Sequence, residues 1–153
     1  MTEVEFHFNV GDKLAYSCRL LRKARAGGAK VMVTAEANLL AQLDQMLWTF
    51  SNTEFLPHCR GDADPATVAL TPILLATSPS DPAFDGSPFG VLVNLGQSVP
   101  EGFERFERFI ELVSSAEDDR LSARHRWTHY KDRGYALKKF DLNVDSSGSA
   151  VHA

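Results

Sequence analysis

Cysteine is scarce in this 153-residue chain: Cys18 and Cys59 are the two present, and neither stands in a CxxC or Cys/His spacing. That argues against a disulfide framework or a zinc site, so both thiols are expected reduced, Cys18 in the core. No apolar run approaches the ~20 residues that span a bilayer, and the opening Met1-Thr2-Glu3-Val4-Glu5 lacks the basic start of a secretory signal. A cytoplasmic protein is the expectation. Also missing are GxGxxG, GxSxG and HExxH, and with them the dinucleotide cradle, the serine elbow and the zinc-protease helix. Ala26-Gly27-Gly28-Ala29-Lys30 is rich in glycine, but it follows a helix and precedes a strand, the reverse of a phosphate loop. It reads as a helix stop. His125 and His129 stand four apart among Arg124, Arg126 and Lys131, and that positive surrounding disfavours a metal ion. No catalytic residue, metal or cofactor is expected. The enzyme alternative is a nucleotide binder on a Rossmann-like sheet without its fingerprint.

What is present is an ordinary globular composition, 44% apolar and 24% charged. It supports a single domain over residues 1–145 with a disordered tail over 146–153. The formal charge of −4 hides an asymmetry: residues 120–139 hold seven of the 16 basic side chains and one of the 20 acids. A basic segment therefore sits on an acidic body.

Val4-Glu5-Phe6-His7-Phe8 alternates at period two and predicts a first strand. A helix capped by Asp12 follows, with Leu14, Cys18 and Leu21 as its buried stripe and Gly27-Gly28 as its stop. Lys30 to Thr34 is an apolar, β-branched run suited to a strand buried on both faces, and a second helix runs from about Glu36 to Trp48. This strand–helix order predicts an α/β fold: a three-layer domain with a mostly parallel, Rossmann-like sheet flanked by helices. Thr67 to Leu70 and Ile73 to Ala76 are strand-like around Pro72, Thr77 to Pro88 is a surface excursion, and Phe89 to Leu95 is a central strand. Phe103 to Val113 predicts a short helix passing into a strand. Ser115 is expected to cap a helix from Ala116 to Arg133, stopped by Gly134, before a last strand within Tyr135 to Leu142.

Two surfaces draw attention. Leu39, Leu40, Leu43, Met46 and Leu47 share one helix face, which leaves Trp48 about 180° from Leu39 and close in sequence to Phe50 and Phe55. Burial of these aromatics and their display to a partner both fit. On the late helix Arg120, Arg124, Trp127 and Lys131 fall within about 60° on an ideal wheel, with Ala123, Trp127 and Tyr130 to one side of that stripe, toward the sheet. Such an edge suits either single-stranded DNA, through phosphate contacts and base stacking, or a compact acidic peptide. The acidic body favours the peptide.

Leu43-Asp44-Gln45-Met46-Leu47-Trp48, then Phe55-Leu56-Pro57-His58, then Ala123-Arg124-His125-Arg126-Trp127-Thr128-His129-Tyr130-Lys131 with Gly134-Tyr135, resemble the chi subunit of bacterial DNA polymerase III over most of the chain. The LDxxLW…F(L/V)PH block is the more specific part. The resemblance implies a non-catalytic accessory subunit in DNA replication, an adaptor within the cytoplasmic, nucleoid-associated replisome that meets DNA mainly indirectly. One surface would bind the psi subunit of the clamp-loader assembly, carried by Trp48, Phe55, Leu56 and Pro57. Another would take the acidic carboxyl-terminal tail of single-stranded DNA-binding protein, at Val113, Arg120, Arg124, Arg126, Trp127, Thr128 and Lys131. Where the family pattern has a lysine one turn after the key arginine this chain has Thr128, so the resemblance leaves that charge to Lys131 or Arg126.

Overall fold

The computed structural model describes residues 2–49, 57–60, 63, 66–67, 71–79 and 90–142. Among these, the strands are β1 Glu3–Val10, β2 Val31–Thr34, β3 His58–Arg60, β4 Ile73–Ala76, β5 Val91–Asn94, β6 Arg108–Ser114 and β7 Ala136–Asp141. The helices are α1 Lys13–Ala26, α2 Ala37–Thr49 and α3 Glu117–Asp132, with a 3₁₀ turn at Phe103–Arg105. The strands form one sheet in the order β3-β4-β2-β5-β6-β1-β7, and every pairing in it is parallel. The expected α/β sheet flanked by helices is what forms.

Alternation along the strands divides the core into two layers. Val31, Val33, Ile73, Leu75, Val93 and Ile110 pack with Cys18, Leu21, Leu40, Leu43 and Leu47 of α1 and α2. Met32, Leu74, Leu92, Phe109 and Val113 face the other way, against Phe103, Phe106, Ala123 and Tyr130. All four residues of β2 and of β4 are buried, as strands covered on both sides must be. Pro72 falls immediately before β4, where its missing N–H interrupts no ladder and its carbonyl accepts from Val31.

Local chemistry sets most element ends. The Asp12 carboxylate accepts from the backbone N–H of Leu14 and Ala15, capping α1. Gly27 closes that helix, and Gly28 and Gly134 adopt the left-handed backbone that favours glycine, with φ of 82° and 83°. Two expectations are corrected. Ser115 does not cap α3: the cap position is Ala116, which makes no side-chain bond, and Asp119 instead reaches back to accept from the Ser114 N–H at 2.8 Å. Thr67 is helical rather than the start of a strand, its neighbour Ala66 sharing the turn. Residues 68–70, most of the Thr77 to Pro88 excursion and the tail beyond residue 142 lie outside the described residues.

Candidate functional site

The sheet order makes β6 and β7 neighbours of β1, so α3 crosses over β1 as it connects them. One flank of α3 then overhangs β1 and the edge strand β7. Between them lies a cleft of about 570 Å³ lined by Phe8 and Asn9 of β1, Arg120, Arg124, Trp127 and Thr128 of α3, and Lys139 and Asp141 of β7. Three cations face one carboxylate there, above an aromatic floor.

The helix is held in place from below. Ala123 and Tyr130 are fully buried, and the Tyr130 ring meets Phe6, Phe103 and Phe109 at centroid distances of 5.9, 5.1 and 5.6 Å. Trp127 lies edge-on to Phe6 at 5.1 Å, which fixes the indole at the rim where core meets cleft. Beneath the helix, Glu111 of β6 accepts from Arg126 Nε at 3.0 Å, from the Tyr130 hydroxyl at 2.6 Å and from Asn94 Nδ2 at 2.8 Å. Burial pushes the Glu111 carboxyl above its ordinary range, against the Arg126 charge and the hydrogen bonds from Tyr130, Asn94 and Arg126. Burial and the neighbouring Glu111 charge likewise drive the Tyr130 phenol far up, which keeps it a donor.

Arg120, Arg124, Trp127 and Thr128 are thus brought together, while three other candidates are not. Arg126 is 3% exposed and its guanidinium is turned onto Glu111, because on the wheel it lies about 40° from Tyr130 and about 60° from Ala123, on the side that faces the sheet. It supplies no charge to the cleft. Val113 is fully buried in the layer beneath α3, and Lys131 is exposed on the helix but is not among the cleft residues. The composition of the other wall was missed: Phe8, Asn9, Lys139 and Asp141 come from β1 and β7. The available signal was the alternation of Phe6/Phe8 and Lys139/Asp141, each pair spaced two apart on a strand and so on one face.

At the other edge of the sheet, α2 packs over β3 and β4. Leu40, Leu43 and Leu47 are buried, and Trp48 is 55% exposed with its ring 4.6 Å from that of His58. His58 is also paired with Asp44 across 3.0 Å, so the Trp48 ring lies against a histidine anchored to its own helix. Pro57 is half-buried; Phe55 and Leu56 lie outside the described residues. Among the described residues no cluster of His, Cys, Asp and Glu has the makings of a metal site, and no helix is long and apolar enough to cross a membrane.

Comparison with known proteins agrees with this picture. Residues 1–138 match the family model described as DNA polymerase III chi subunit, HolC. The chain is 30% identical to the DNA polymerase III subunit chi of Pseudomonas aeruginosa over 147 residues, which is 93% of this chain and 98% of that protein. With the subunit chi of Haemophilus influenzae the identity is 26% over 122 residues, 79% of this chain and 81% of that one. The chain belongs to the DNA polymerase III chi subunit family, whose members are accessory subunits of the replicase.

Proposed function

We propose that this protein is a non-catalytic adaptor that couples the clamp-loader assembly, through a psi subunit, to the acidic carboxyl-terminal tail of single-stranded DNA-binding protein. The observation that carries the reading is the cleft between α3 and β7, where Arg120, Arg124 and Lys139 surround an apolar floor of Phe8 and Trp127. A peptide that is acidic along its length and ends in a large apolar residue matches both parts. Its carboxylates meet charge-assisted donors and its side chain finds aromatic surface.

The position of the second surface supports the adaptor reading. Trp48 is carried by α2 on one face and at one edge of the sheet, and the cleft belongs to the other face and the opposite edge. Seven strands at about 4.8 Å spacing put roughly 30 Å between those edges, so one partner need not obstruct the other. Two modest contacts joined through one rigid body raise effective concentration without new chemistry.

Titration of a labelled acidic peptide ending in Phe tests the tail-binding half. Binding that weakens with added salt and with Arg124→Ala is expected. Failure of the wild-type protein to bind the peptide, together with binding of a bare oligonucleotide at physiological salt, would transfer the cleft to single-stranded DNA.

A further inference from the structure

The side of the cleft away from α3 is not a passive wall. Lys139 and Asp141 alternate on β7 and both line the cleft, so two opposite charges stand about 7 Å apart along one edge strand. The Lys139 ammonium lies 5.5 Å from the centroid of the Phe8 ring, which holds a long, flexible side chain over the cleft floor. Asp141 is fixed differently. Asn9 Nδ2 donates to its Oδ1 at 2.7 Å.

Asn9 reaches that position through an unusual backbone. Its φ is 61°, the one positive value among the described residues other than glycine, and it falls where the register of β1 against β6 shifts between His7 and Val10. A bulge of this kind re-aims a side chain, and asparagine tolerates the left-handed conformation better than most residues. The consequence is an amide directed along the cleft floor onto a carboxylate of the neighbouring strand. A basic groove that only needed to attract anions would gain nothing from an acid held inside it.

We propose that β7 is the specificity wall of the cleft: Lys139 pairs with an acidic residue of the bound peptide, and the clamped Asp141 rejects acidic residues beyond it. This rests on the acidic-peptide reading above and adds the residues that set which acidic peptides are accepted. On α3, Arg120 from the first turn and Arg124 one turn later line the same cleft, across from a wall that carries one cation and one carboxylate.

The test is fluorescence anisotropy at low salt with two labelled octapeptides, each ending in Phe, one with three acidic residues and one with five. Lys139→Ala should weaken binding of the three-acid peptide about two- to fivefold, the range of one exposed charge pair, and Lys139→Arg should restore it. Asp141→Asn, which keeps an acceptor for Asn9, should tighten the five-acid peptide by a similar factor and the three-acid peptide less. Arg25→Ala and Glu36→Gln change net charge equally at exposed positions outside the cleft and should leave both affinities unchanged. If wild type binds neither peptide, the docking reading itself fails. If wild type binds but the β7 variants behave like their remote controls, the docking reading stands and the specificity wall is overturned.

Discussion

Lys13 Nζ lies 2.7 Å from Asp119 Oδ2, tying the first turn of α1 to the first turn of α3 across the carboxyl end of the sheet. The same ammonium donates to the Leu95 carbonyl at 2.9 Å, and Asp119 also takes the Ser114 N–H. The two helices follow β1 and β6, adjacent strands whose helices leave to opposite faces. In open parallel sheets such a switch point is where a ligand crevice forms. Here an internal ion pair bridges it, and the α3–β7 cleft and the exposed Trp48 lie on the flanks instead.

Removing one member of that pair should therefore cost stability. Lys13→Met leaves Asp119, which is almost wholly buried, without its counter-ion, and a loss of about 3 kcal/mol is expected in urea denaturation. A double variant, Lys13→Met with Asp119→Leu, removes the stranded charge as well and should recover most of the loss. A single-variant loss under about 0.5 kcal/mol, as for an ordinary surface substitution, would mean that the tie does not hold the helices.

Two arginines two residues apart on α3 should separate structure from binding. Arg126→Met deprives buried Glu111 of its ion-pair partner, and about 3 kcal/mol of destabilisation is expected by urea denaturation. Arg124→Ala removes an exposed cation and should leave stability within about 0.5 kcal/mol while weakening the acidic peptide. Equal stability losses for the two variants would contradict the burial that distinguishes them.

That contrast also shows what sequence could carry. Elements whose cause is local were legible: the Asp12 cap, the Gly27-Gly28 and Gly134 stops, the doubly buried β2, and β5 as the central strand of the sheet. The wheel of α2 also anticipated that Trp48 would stand outside the leucine face. Arg126 was misread because its partner, Glu111, is fifteen residues upstream on a strand otherwise read as apolar. Lys139 was counted in the basic segment, but its place in the cleft with Arg124 follows from the pairing of β7 with β1, a contact between chain ends that no local pattern encodes. For the same reason no local pattern marks Asn9; its bulge has meaning only beside Asp141.

Trp48 offers a test of display against packing. With half of its surface in solvent and its ring against His58, Trp48→Ala should lower stability by no more than about 1 kcal/mol, far less than the 3–5 kcal/mol of a core tryptophan. The same variant should abolish capture of a psi partner in a pull-down while acidic-peptide binding in the cleft persists. Capture unchanged by the substitution would remove Trp48 from the partner surface.

On the face opposite the cleft, a chain of polar side chains gives stability a defined acid limb. Arg108 donates to Glu5 through Nε at 2.6 Å and Nη2 at 3.0 Å. Burial pushes the Tyr16 hydroxyl up to about 12, so it remains a donor to His7 Nδ1 at 2.6 Å, leaving His7 Nε2–H for Glu5 at 3.2 Å. Burial alone would raise the Glu5 carboxyl, but the hydrogen bonds from His7 and Arg108 and the Arg108 charge outweigh it and hold it at about 2, below its ordinary 4.5. A depressed carboxylate stabilises the fold above its unfolded pKa and loses that contribution as pH falls through the folded value. Because Arg108 is nearly half exposed, solvent screening reduces the contribution to on the order of 2 kcal/mol. Urea denaturation of wild type and Glu5→Gln should accordingly differ by about that amount near pH 6, with the gap closing between pH 4.5 and 2. A gap that stays constant down to pH 2 would assign the loss to packing and not to the charge on Glu5.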